Sequence, residues 1–156
     1  MRYFLAALVF VSGMFAQWWW STYFSFWGVA PQILLVLTVA ISSCSGPVAG
    51  VCFGFAWGLF LDVLGVHLFG SNALALTLTA YLVGFGKRQM DVSSPVSQIV
   101  VTAMVTAGYF LFLSVVGLVF QHRAYWVGWP SLLFDPLLNC LVTPVAFVVV
   151  DRTLEF

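Results

Sequence analysis

The sequence predicts an all-α polytopic membrane protein with about six transmembrane helices and both termini in the cytoplasm. Composition is the first reason: 63% of the residues are hydrophobic and only 6% are charged, against about a quarter charged in a soluble domain. Segmentation is the second. The apolar residues fall into runs close to the roughly 20 residues that a spanning helix needs. Five basic and five acidic residues are too few to cover a water-soluble domain of 156 residues. The net charge of zero and the lack of a basic run argue against nucleic-acid binding. A single transmembrane domain over residues 1–156 is expected, with no room for a separate soluble catalytic module.

The first helix is expected over residues 3–20. Arg2 ahead of an apolar run resembles a signal peptide, but Ala16-Gln17 followed by three tryptophans lacks a small-x-small cleavage site, so a retained helix is the better reading. The second helix, residues 31–43, is short. The third covers 46–64, the fourth 71–85, the fifth 96–120 and the sixth 132–150. The second and fourth also fit half-spans that enter and leave on one side. Pro31, Pro47 and Pro136 suit first-turn positions, where a missing N–H costs nothing. Pro144 falls inside the sixth helix and should kink it, which membrane helices tolerate.

Six spans place Arg2, Lys87, Arg88 and Arg152 on one side and Arg123 alone on the other. The positive-inside rule then makes the first side cytoplasmic. Trp18, Trp19, Trp20 and Trp27 collect at the outer boundary with Trp126 and Trp129, as an anchoring aromatic belt does. Partner binding is the rival reading of that belt.

The third helix carries the strongest pattern. Gly46, Gly50, Gly54 and Gly58 recur every four residues, and Asp62 continues the row. Residues four apart share a helix face. Lipid gives no hydrophobic drive for helices to pair, so close backbone contact must supply the attraction. The face therefore packs against a neighbour in the same chain or receives a foreign helix. Asp62 precedes Gly65, Gly70 and Asn72, residues suited to a tight turn, and reads as a polar anchor for that turn. A proton or ion site, or a carboxylate reaching interfacial water, are the rival readings. On the sixth helix Asp135, Asn139 and Thr143 form a second four-residue row, and Asn139, deep in hydrocarbon, should hydrogen-bond to another helix. The hydroxyls of Ser42, Ser43, Thr102 and Thr106 suit bonds to their own helix backbones.

Chemical motifs are sparse. Cys44, Cys52 and Cys140 lie in apolar stretches without ligand spacing, and His67 and His122 read as lone interfacial residues. No metal, no cofactor and no catalytic residue is expected, since no nucleophile–base pair can be nominated.

With these residues in view, the chain resembles the rod shape-determining protein MreD family. The resemblance rests on "APQILLVLTVA" and on "GVCFGFAWGLFLDVLGVHLFGSNALALTLTAYLVG", where Gly54, Gly58, Asp62 and Gly70 match a G-x3-G-x3-D-x7-G core. Asn139 followed by Pro144, the chain's size and the span number add to it. Asn72 departs from the pattern, standing near a position more often basic or His. The resemblance implies a non-catalytic scaffold of the bacterial cell-wall elongation machinery in the inner membrane. It implies an MreC-like bitopic partner and, less directly, MreB, RodZ, a SEDS glycosyltransferase and a class B penicillin-binding protein. It also implies a fold similar to the membrane substrate-binding subunits of energy-coupling-factor transporters. The alternative is a small-molecule transporter subunit, which demands a polar cavity among the helices. An intramembrane enzyme is the third possibility.

Overall fold

A computed structural model describes residues 2–23, 30–65, 68–87, 94–122 and 128–153. Six helices follow one another: α1 (Arg2–Tyr23), α2 (Ile33–Ser45), α3 (Pro47–Leu64), α4 (Ser71–Gly86), α5 (Pro95–Gln121) and α6 (Trp129–Thr153). Among the described residues every regular element is a helix, and α1, α3, α5 and α6 are long and apolar enough to cross a membrane. The chain is a membrane protein. At 13 residues α2 is about 20 Å long, well short of a hydrocarbon core of about 30 Å. At 16 residues α4 is about 24 Å long.

Helix α2 is the hub. It touches each of the other five helices, and every residue from Leu34 to Ser43 is buried. A helix apolar all round has no face to offer water or headgroups and belongs inside a bundle. Trp57 of α3, fully buried, stacks on Phe10 of α1 with ring centroids 5.7 Å apart. Its indole N–H donates to the Phe10 carbonyl at 3.1 Å, so the polar end of the ring is satisfied.

The tightest unit is the α3–α4 hairpin. A Cβ on Gly58 would overlap the Ala73 backbone, and one on Gly54 would sit 3.0 Å from the Leu76 carbonyl. Gly84 of α4 meets Pro47 with the same closeness at the other end. Gly50 faces Ser42 of α2. The row at 50, 54 and 58 is thus covered by helices of the same chain, and no foreign helix has room on that face. Gly46 is not part of it: it is the one-residue turn between α2 and α3, at φ 95°, where lack of a Cβ is what the backbone requires.

Two proline assignments need correction. Pro31 lies in the extended segment before α2, which starts at Ile33, because Gln32 takes the N-cap position. Pro136 lies inside α6, which begins at Trp129, ahead of the expected 132; Pro130 occupies the first turn instead. Pro47 opens α3 and Pro144 is interior to α6. Thr102 and Thr106 bond their own helix, to the Gln98 and Thr102 carbonyls. Ser42 and Ser43 do not: both hydroxyls are buried without a partner.

Candidate functional site

Short helices inside a bilayer create a physical problem. Their first turns leave N–H groups without intrahelical partners, and no water is at hand to satisfy them. Two groups of buried polar side chains lie at the two places where that problem arises.

The first is the start of α4. Asp62, only 4% exposed, lies near the end of α3. Its Oδ1 accepts from the Asn72 backbone N–H and from Asn72 Nδ2, each at 3.0 Å. Its Oδ2 accepts from the Ala73 N–H at 3.1 Å. A carboxylate on the first-turn amides is also aligned with the positive end of the helix dipole. Gly70, at φ 95° and ψ −11°, makes the left-handed turn that brings α4 back beneath Asp62. The Tyr109 hydroxyl of α5 then donates to Asn72 Oδ1, closing a buried Asp62–Asn72–Tyr109 chain.

The second is the start of α2. Asn139 of α6, fully buried, accepts from the Gln32 N–H through Oδ1 at 2.8 Å and donates from Nδ2 to Thr106 Oγ1 at 3.1 Å. One turn earlier on α6, Asp135 accepts a hydrogen bond from the Ala30 backbone. One turn later, Thr143 donates to the Asn139 carbonyl. On the other flank, Gln17 Oε1 of α1 receives the Leu34 N–H at 3.4 Å. The α6 row therefore holds residues 30–32 and caps α2, with Pro31 contributing no N–H to satisfy.

The two starts meet on α5. Thr106 serves the α2 cap and Tyr109 the α4 cap, three residues apart on one helical face. The rows on α3 and α6 do not face each other: among the described residues α3 and α6 do not touch, and α2 packs against both. At the opposite end of α2, Lys87 donates to the Cys44 carbonyl at 3.0 Å, a cation on an unpaired helix C-terminus.

Beside the two caps lies a cavity of about 460 Å³, lined by Gln17, Trp18, Gln32, Leu61, Asn72 and Tyr109 among others. Among the described residues no charged side chain lines it. A second cleft of about 470 Å³ runs between α4 and α5 past Gly108 and is almost wholly apolar.

Of the expected site residues, Asp62, Gly70, Asp135 and Asn139 sit at the helix starts, while Pro144 stands one position beyond Thr143 without touching either cap. Tyr109, Gln17 and Gln32 were not singled out from the sequence. Their signal was present: each carries a polar group in an otherwise apolar stretch. Trp18, Trp19 and Trp20 lie near the end of α1 and are each more than a third exposed. Arg88, Arg123, His67, Trp27 and Trp126, and the side chain of Arg2, lie outside the described residues. Among the described residues no three His, Cys, Asp or Glu side chains gather as a metal site.

The family model described as rod shape-determining protein MreD matches residues 1–152. No curated protein and no solved structure matches the chain.

Proposed function

The chain belongs to the rod shape-determining protein MreD family, and on that premise we propose that it is a non-catalytic scaffold of the cell-wall elongation complex. It sits in the bacterial inner membrane and binds an MreC-like bitopic partner. Through that partner it is linked to MreB, RodZ, a SEDS glycosyltransferase and a class B penicillin-binding protein, and it helps control lateral peptidoglycan synthesis. The family match over residues 1–152 carries this reading.

The engagement of the buried polar groups supports it. Asp62, Asn72, Asn139 and Thr106 are committed to helix starts, so they stabilise architecture. Six helices joined by short connections support a topology with both termini on one side. Arg152 and Lys87 on that side favour the cytoplasm. The resemblance also implies a fold similar to energy-coupling-factor substrate-binding subunits. The partner surface must differ from the face of Gly50, Gly54 and Gly58, which is covered from within.

Co-expression with the MreC-like protein of the same genome, followed by purification in mild detergent, tests the reading. Stoichiometric co-purification is expected, and depletion of the chain should turn rods into spheres. Cells that stay rod-shaped under full depletion would refute it.

A further inference from the structure

The cavity beside the two caps is used by nothing described so far. Its walls are of two kinds. Leucines of α2, α3 and α4 make one, including Leu35 and Leu61. Gln17 and Ser21, four apart on one face of α1, stand with Gln32 on the other. Trp18 and Tyr109 add aromatic surface. At about 460 Å³ the space falls within the range of about 300–1,000 Å³ typical of small-molecule sites.

The chemistry of the lining narrows the occupant. Amide and hydroxyl groups set against apolar surface are costly unless paired. Here Gln17, Ser21 and Gln32 border a space able to hold a partner of their own kind, with Gln32 Oε1 itself buried. Among the described residues no Lys, Arg, His, Asp or Glu lines the cavity. The nearest buried carboxylate, Asp62, is already engaged by three donors behind Asn72. An ionic group would lose its hydration there with no opposite charge among the described lining residues to replace it. The leucine wall in turn offers burial to an apolar body.

We propose that this cavity binds an uncharged amphiphile, its hydroxyl or amide head hydrogen-bonded to Gln17, Ser21 and Gln32 and its apolar part against the leucine wall. The head chemistry is common to neutral membrane lipids and to small water-borne polar molecules. The proposal stands apart from the scaffold reading: a scaffold with an empty cavity and a ligand-binding protein with no role in shape fail different experiments.

The test uses the full chain in nanodiscs, with thermal unfolding and native mass spectrometry as readouts. Monoolein supplies the head from the bilayer, and monobutyrin supplies the same head from water. Methyl oleate keeps the apolar body without a donor, and oleate replaces the head by a charge. Stabilisation by monoolein alone marks a membrane source, and stabilisation by both marks the head as sufficient. Gln32→Leu should weaken apparent affinity roughly threefold to tenfold, the loss of one hydrogen bond. Its backbone bond to Asn139 remains, so folding is kept. Ser21→Trp, at an exposed position, should abolish the shift by filling the mouth. The proposal is overturned if neither head-bearing probe stabilises the protein. It is equally overturned if methyl oleate or oleate matches monoolein, or if both variants respond like the parent chain.

Discussion

Helices α2 and α4 face the same difficulty and meet it differently. Each begins inside the bundle with unpaired amides. The cap of α4 comes from Asp62, ten and eleven residues earlier in the same hairpin. The cap of α2 comes from Asn139, 107 residues away, with help from Gln17. A cap within a hairpin forms as soon as two neighbouring helices close. A cap drawn from the far end of the chain forms only when α6 has docked. The α4 start uses both oxygens of Asp62, whereas the α2 start combines the amides of Asn139 and Gln17 with Asp135; both keep buried orphans, Ser71 Oγ at α4 and Gln32 Oε1 and Asp135 Oδ1 at α2. The α3–α4 hairpin is therefore the self-sufficient half of this pair, and α2 depends on assembly.

The sharpest way to break that contrast is at Gly58. A leucine there would drive a branched side chain into the Ala73 backbone, which has no way to yield without separating α3 from α4. Gly58→Leu should give no monodisperse folded protein on size exclusion in detergent. Next in size is Asp62→Ala, which strands two backbone N–H groups and the Asn72 amide. At about 1–3 kcal/mol for each stranded buried group, a loss of at least about 3 kcal/mol is expected. Chemical unfolding in mixed micelles measures it, and Asp62→Asn, which keeps one acceptor, should fall between. Equal stabilities for the parent and Asp62→Ala would remove the cap from this account.

Asn139→Leu tests the other start. It removes the acceptor for Gln32 N–H and the donor to Thr106. Hydrogen bonds between membrane helices are worth about 0.6 kcal/mol on average and at most about 1.7, so a loss of about 1–2 kcal/mol is expected, less than for Asp62→Ala. The difference should also show in kind. Amide hydrogen exchange should rise in the first turn of α2 while the α3–α4 hairpin stays protected. Faster exchange spread evenly over both would mean that the two starts are one cooperative unit.

The contrast also explains what the sequence could tell. The α3–α4 hairpin was legible because its signals are close together: a four-residue glycine row, then Asp62, then Gly65, Gly70 and Asn72 within one turn. Asn139 was legible as a buried amide in need of a partner, but not as the cap of α2, since nothing local links it to residue 32. Pro31 and Pro136 misled for a related reason. A proline marks where a helix is permitted to start, and tertiary contacts decide whether it does. Gln32 takes the N-cap of α2 because α6 meets its N–H, and α6 runs through Pro136 from an earlier first turn at Trp129. The cavity left no trace in periodicity, because it is made by side chains from five helices that no spacing rule connects.

The smallest effect separates backbone from side chain at the α2 start. The N–H of Gln32 is capped by Asn139, while its side-chain Oε1 is buried without a partner. Replacing an unsatisfied buried acceptor by an apolar group of similar size removes a desolvation cost and keeps the packing. Gln32→Leu should therefore leave unliganded stability unchanged or raise it by up to about 1 kcal/mol, opposite in sign to Asn139→Leu at the other end of the same contact. If Gln32→Leu instead destabilises as much as Asn139→Leu, the side-chain amide, and not the backbone N–H, is what α6 holds, and the cap of α2 must be redrawn.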